Sequence, residues 1–244
     1  MKDKGRDRPT IEESPDFAYF LGVILGDSSI YDDRIMFGAK DPEFRAKFVE
    51  IGKKIVGKEP RFSKYKIQVG HIEVCFYSPI FLHELRAWFN LNETSLGTVF
   101  GARSHNSDPQ AYRRAFIKIC GFIQKSRENA KAFIEGFYDS EGCLRMQKST
   151  YTTKIGCKKT WRFPVVEFYN TDHSLLDLVQ RVLKDFDVEG KIYLVAPCGY
   201  KHVSPQGTVI EYSKDYWVFR IYRKASVKSF FHYIHSCIPR KNLK

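Results

Sequence analysis

Two acidic residues stand at matching places in the chain, and together they offer what a hard divalent cation needs. Asp27 closes the run Phe20-Leu21-Gly22-Val23-Ile24-Leu25-Gly26-Asp27. Glu141 closes Phe133-Ile134-Glu135-Gly136-Phe137-Tyr138-Asp139-Ser140-Glu141, nearly half of the 244-residue chain further on. Each run is an apolar helical stretch with small residues four apart, Gly22/Gly26 and Gly136/Ser140. Glycine costs about 1 kcal/mol against alanine in a helix, so paired glycines need a reason. Small residues at i and i+4 share one face and let a second backbone approach. Packed face to face through these positions, the two helices end side by side and bring Asp27 and Glu141 together. Two like charges at two helix C-termini oppose each other and both macrodipoles. Carboxylates and the open carbonyls of a last helical turn are oxygen ligands that Mg²⁺ accepts. Asp27 and Glu141 are therefore expected metal ligands, with backbone oxygens around Gly26 and Ser140 beside them. One such segment alone would read as a structural helix with an exposed acid at its end; two matching copies favour the metal.

These residues resemble the signature helices of the LAGLIDADG homing endonucleases, in the single-chain form that carries both repeats. The first copy matches at Leu21-Gly22-Val23-Ile24 and Gly26-Asp27, the second at Ile134, Gly136-Phe137-Tyr138-Asp139 and Glu141-Gly142. The sixth motif position departs, being Asp139 in the second copy and Leu25 in the first, which leaves Asp139 without an expected role. The resemblance implies an α+β fold of two pseudo-symmetric αββαββα repeats, with a saddle of antiparallel sheets and the two motif helices packed centrally. It implies Mg²⁺-dependent hydrolysis of both DNA strands across the minor groove, leaving short 3′ overhangs, with Mn²⁺ or Ca²⁺ able to occupy the same sites. Family members often place a polar residue at the end of the second strand of each repeat. Here Asn170 fits and Ala39 does not, so either its neighbour Lys40 substitutes or the site is asymmetric. The basic residue expected near the scissile phosphate is Lys241 or Arg145.

The elements that would position these groups follow in order. Ser14-Pro15 opens the first motif helix, and Asp41-Pro42 opens an amphipathic helix with Phe44, Phe48, Ile51 and Ile55 on its buried side. Short strands are expected around Ser29–Tyr31 and Arg34–Ala39, then a hairpin from Phe62 to Tyr77 turning at Gly70, then a helix from Pro79. The first repeat spans 1–105 and a connector with a short helix spans 106–126. The second repeat, 127–244, has strands near Cys143–Thr152 and Trp161–Tyr169 and a helix over Leu175–Phe186. A long-looped hairpin from Lys191 to Tyr222 and a last helix near Lys224–His235 complete it. The His232/His235 pair and Cys237 read as ordinary residues of that helix, without a second cluster to complete a zinc site.

Alternation places one face of each strand on the helices and leaves the other exposed. The exposed set is Tyr31, Asp33, Arg34, Met36, Lys64, Lys66, Gln68, His71 and Glu73 in the first repeat. In the second it is Arg145, Gln147, Ser149, Glu167, Lys191, Tyr193, Tyr216 and Arg220, with Val218 among them and Trp217, Phe219 and Ile221 buried. Such side chains contact phosphate and read base edges in the major groove, and double-stranded DNA with a long recognition site is the expected partner.

Composition agrees with a polyanion partner: 40 Lys and Arg against 28 Asp and Glu give +12. At 43% hydrophobic and 15% aromatic the chain can build a core. No apolar run reaches the ~20 residues of a membrane span, and the charged start MKDKGRDRPT is no secretory signal. Six cysteines without a CxxC pair fit reduced thiols in a cytoplasmic, monomeric protein. The competing readings are an RNA maturase that binds intron RNA on the same scaffold and a non-catalytic DNA-binding regulator. A nuclease of another design, built on Asp177, Glu189 and Lys191, is a third.

Overall fold

The computed structural model describes residues 11–64, 71–91, 94–100, 108–152, 155–204 and 207–243. The chain divides into two compact units, Met1–Ser140 and Glu141–Lys244.

The first unit begins with α1 (Pro15–Asp27), where the Ser14 hydroxyl accepts from the Phe17 amide at 3.3 Å and Pro15 takes the first turn. It continues through β1 (Ser28–Ile30), β2 (Arg34–Ala39), α2 (Pro42–Val56), β3 (Arg61–Lys64), β4 (Ile72–Tyr77) and α3 (Pro79–Trp88). The four strands form one antiparallel sheet in the order β1-β2-β4-β3. Phe37 and Phe76 from the sheet meet Phe48 of α2, whose ring stacks on Phe20 of α1 at 5.4 Å. Val56 closes the buried side of α2, with Ile55 only half-buried.

Next come α4 (Leu96–Phe100), α5 (Pro109–Ile123) and α6 (Arg127–Glu141). The expected short connector helix is in fact a 15-residue helix, α5. Asp108 caps it and Pro109 starts it, while Ala111, Ala115, Ile119 and Phe122 recur at helical spacing and are all buried. Glu13 ties this helix to the start of the chain, accepting from Trp88 Nε1, Lys118 and Lys125. Burial raises that carboxyl, but the three donors outweigh it and hold Glu13 below the usual carboxylate range.

α6 opens the second sequence repeat yet packs within the first unit, and the reason is backbone contact with α1. A Cβ added to Gly22 would run into the Phe133 carbonyl oxygen and lie 2.8 Å from the Phe137 nitrogen. One added to Gly136 would run into the Tyr19 carbonyl oxygen. Ser140, the second small residue of its run, turns its hydroxyl back to the Phe137 and Gly136 carbonyls at 3.1 and 3.2 Å. Beside this seam the Tyr19 hydroxyl donates to Asp139 Oδ2 at 2.7 Å, and Asp139 is buried. The sixth motif position therefore has a structural role that the mismatch with Leu25 concealed. Tyr19→Phe removes a donor from this buried carboxylate and should lower stability by about 1–3 kcal/mol in urea unfolding. An unchanged midpoint and slope would contradict the role given to this bond.

The second unit runs through β5 (Gly142–Thr152), β6 (Lys158–Asn170), α7 (His173–Lys184), β7 (Lys191–Ala196), β8 (Lys201–Val203), β9 (Val209–Glu211), β10 (Tyr216–Ile221) and α8 (Lys224–Tyr233). Its sheet has the order β5-β6-β10-β7, strand for strand the arrangement of the first unit. The Gly/Pro-containing loop of the last hairpin is itself a small antiparallel pair, β8 with β9. α8 ends at Tyr233, so His235 lies beyond the helix and does not share its face with His232. None of the six cysteines is in a disulfide. Among the described residues no helix is long and apolar enough to cross a membrane.

Candidate functional site

Asp27 is the last residue of α1, and Ser28 begins β1 without an intervening loop. Glu141 is the last residue of α6, and Gly142 begins β5 in the same way. The equivalence extends into the sheets, where Ser28 pairs with Phe37 and Gly142 with Phe168, each at the same place on the second strand of its unit. Both acids therefore occupy one structural position, a helix-to-strand junction at the head of a sheet.

The last turns of α1 and α6 contain no basic residue. An acid at a helix C-terminus opposes the macrodipole, and here no lysine or arginine in the turn compensates it. Asp27 is exposed and Glu141 half-buried. Ser28 Oγ, next to Asp27, is buried and without a hydrogen-bond partner among the described residues. Carboxylates, carbonyls of a last turn and an unpartnered hydroxyl are hard oxygen donors, which suit Mg²⁺, Mn²⁺ or Ca²⁺. Among the described residues no group of three His, Cys, Asp or Glu side chains could hold a metal.

Asn170 ends β6 and fills two roles that the sequence left open. Its Nδ2 donates to Glu141 Oε1 at 3.4 Å, while its Oδ1 accepts from the Asp172 amide at 2.8 Å and fixes the turn into α7. In the first unit the equivalent position is Ala39, which is buried and apolar. Lys40 beyond it is exposed, and its carbonyl, with that of Ala39, accepts from Arg45 Nη1. Lys241 is buried in the 3-10 turn Pro239–Lys241, which packs on β5. Burial raises the Cys143 thiol, and Glu167 adds to this, while Lys241 and Arg145 pull the other way.

On the face of the second sheet that carries Glu167, β5 contributes Cys143, Arg145, Gln147 and Ser149, β6 Tyr169, β10 Val218 and Arg220, and β7 Lys191 and Tyr193. Two of these depart from the expected exposure. Val218 and Glu167 are buried, because long side chains from neighbouring strands lie over this part of the face. Glu167 is thus no surface contact: its Oε1 accepts from Arg220 Nε at 2.7 Å and Arg145 Nη2 at 2.9 Å, and its Oε2 accepts from the Tyr169 hydroxyl at 3.0 Å. Trp217 is only half-buried, its ring edge-on to His173 at 4.7 Å. Tyr216 stacks on Tyr169 at 5.7 Å.

Burial lifts the Tyr216 phenol to about 12, with the charge of Glu141 and the neighbouring Tyr169 adding to the shift. Tyr216 therefore stays a hydrogen-bond donor at neutral pH. An unfolded tyrosine ionises near pH ~10, so stability from this proton is complete below that pH and is lost as pH rises towards about 12. Stability measured from about pH 9 upwards should fall less steeply in Tyr216→Phe than in the parent. Identical slopes would contradict the assignment.

On the first sheet, Arg34 bonds to Asp33 at 3.2 Å, to Met36 Sδ at 3.4 Å, and lies 4.7 Å over the Tyr31 ring, so four expected face residues form one cluster. The register corrects the hairpin: Arg61 aligns with Cys75 and Ser63 with Glu73, whereas Lys64 aligns with Ile72. The Glu73 face thus takes Arg61 and Ser63 from β3, and Ser63 Oγ donates to Glu73 at 3.1 Å. Arg61 escapes the expected set because the alternation that puts Lys64 on the open face is one residue out of phase with the register. His71 lies against Gly38, where a Cβ would come 2.5 Å from its Cε1. Lys66, Gln68 and the turn at Gly70 fall outside the described residues. The alternative acid set separates into distinct pairs, Asp177 with His173 at 3.0 Å and Glu189 with Arg223.

Residues 128–235 match the family model described as a LAGLIDADG-like domain. The chain is 23% identical over 239 residues to an uncharacterized protein of Methanocaldococcus jannaschii, covering 95% of this chain and 70% of that one. Among solved structures it is similar to I-DmoI in complex with DNA and Mn, with a TM-score of 0.51 and 16% identity over 91% of this chain and 97% of that chain. It is also similar to full-length DUF199/WhiA from Thermotoga maritima, with a TM-score of 0.50 and 12% identity over 94% of this chain and 58% of that one. At these identities the likeness to the solved structures is one of fold.

Proposed function

We propose that this chain, a LAGLIDADG protein by its domain at residues 128–235 and by its fold, is a site-specific endonuclease that cuts both strands of double-stranded DNA with a divalent metal. One observation carries the reading: both helix-to-strand junctions keep a carboxylate at the same structural position, the last residue of the helix that leads into the sheet. Such acids oppose their own helix dipoles, and a bound cation removes that cost. I-DmoI, a homing endonuclease whose structure contains DNA and Mn, supports both the substrate and the metal class.

Asp27 and Glu141 would hold the metal, with backbone oxygens at Gly26 and Ser140. A divalent cation, when bound, lowers the pKa of water and offsets charge growing on the phosphate oxygens. Asn170 orients Glu141 through its amide and is placed to bond a water beside it. Of the two candidate bases, Lys241 is the better placed for the scissile phosphate. Arg145 is bound to Glu167, whereas Lys241 lies in a turn that packs on β5, the strand that follows Glu141. The exposed side chains of the two sheets, Arg61, Arg34, Arg145, Arg220 and Lys191 among them, supply the phosphate and base contacts.

The likeness to WhiA, whose N-terminal domain is likewise a LAGLIDADG domain, leaves room for a second reading, the non-catalytic DNA-binding regulator. Incubating the protein with a randomised or genomic DNA pool, with and without Mg²⁺, and sequencing new ends separates the two. Recurrent Mg²⁺-dependent ends support the nuclease; selective binding without new ends supports the second reading.

A further inference from the structure

Glu167 presents a physical problem that the fold does not require. Its side chain is 1% exposed, yet it carries a carboxylate in the middle strand of the second sheet. Two arginines converge on the same oxygen, Arg220 at 2.7 Å and Arg145 at 2.9 Å, and the second oxygen takes the Tyr169 hydroxyl. The first unit builds the same four-stranded order with no such group. At the position of Glu167, which pairs with Cys143 and Arg220, it has Met36, which pairs with Ser29 and Cys75. A buried ion-pair triad is often no more stable than apolar residues of similar volume, so stability alone does not account for it.

What the triad achieves is placement. The Arg145 side chain is 52% exposed and that of Arg220 29%, so both reach the open face while their inner nitrogens are pinned from below. Arg220 is further fixed by the Tyr193 ring, 5.6 Å from its guanidinium carbon. Left without Glu167, two guanidiniums this close would repel and swing apart. Held by it, they form one unit of net charge +1 in which both guanidinium side chains stay part-exposed. Such a unit pulls weakly on phosphate for its size and offers directional donors, which suits the paired acceptors of a guanine edge in the major groove.

We infer that Glu167 is a positioning residue for sequence recognition, locking Arg145 and Arg220 into a rigid donor pair that reads guanine in bound duplex DNA. The inference rests on the DNA reading above. The test selects preferred sites from a randomised duplex pool under Ca²⁺ with the parent protein, Glu167→Gln and Glu167→Asp. The parent should yield a motif with guanine at one or two adjacent positions. Glu167→Gln should lose about tenfold discrimination there and nowhere else, with non-cognate binding unchanged or tighter because a negative charge is gone. Glu167→Asp, which keeps the charge but shortens the arm, should blur the same positions, and it carries the test should the glutamine variant not fold. Arg145→Gln and Arg220→Gln should map to these positions too. An unchanged motif in the glutamate variants, or uniform weakening at every position, overturns the inference. A parent protein that selects no motif overturns the DNA reading itself, and the inference with it.

Discussion

Asp27→Asn and Glu141→Gln should each reduce Mg²⁺-dependent DNA cleavage by about a hundredfold to a thousandfold or more, while binding to the same DNA stays within about threefold. The amides keep the shape of the side chains but are poor ligands for a hard cation, so the loss falls on chemistry and not on docking. Gel-shift binding and cleavage of a selected site on one set of proteins read both effects. Full cleavage by either variant removes the metal assignment.

The second large effect lies in the seam of the first unit. Gly22→Ala and Gly136→Ala each introduce a methyl that meets backbone and not a movable side chain, so α1 and α6 must separate. Overpacking of a well-packed interior costs about 1–3 kcal/mol, and a clash with a carbonyl oxygen belongs at or beyond the upper end of that range. A loss of at least about 3 kcal/mol is expected from each. Gly121→Ala is the internal control: it sits in α5, is exposed, and a Cβ there meets nothing within 4 Å. It should stabilise by up to about 1 kcal/mol through helix propensity alone. Urea unfolding of the three variants checks the prediction, and seam variants as stable as the parent would contradict the close approach.

The seam and its two acids were legible because they rest on composition at fixed spacing: glycine where a helix gains nothing from it, and a carboxylate just beyond. Helix starts were legible for a similar reason at Ser14-Pro15 and Pro79, where a serine ahead of the proline makes the cap; Asp108-Pro109, read as part of the connector, makes a third. What the pattern could not supply was neighbourhood. Alternation puts Glu167 and Val218 on the same side of the sheet as Arg145 and Arg220, but it does not say that both are buried there or that Arg145, Arg220 and Tyr169 gather around the carboxylate. Register fails in a related way: an alternation one residue out of phase puts Lys64 on the open face and hides Arg61 and Ser63. α5 was undersized because its polar leader drew attention from the buried series Ala111, Ala115, Ile119 and Phe122. The role of Asp139 needed Tyr19, 120 residues away in sequence and reached only through folding.

The central claim is that two equivalent junction acids serve two strands of one duplex. Mapping the cuts on each strand of a selected DNA site in Mg²⁺ tests it most directly. The expected result is one cut per strand at a fixed short stagger with 3′ overhangs, absent without metal and absent when Asp27 and Glu141 are both replaced by their amides. A site that is bound selectively and left intact on both strands in Mg²⁺ and Mn²⁺, or cuts that persist in the doubly substituted protein, would contradict it.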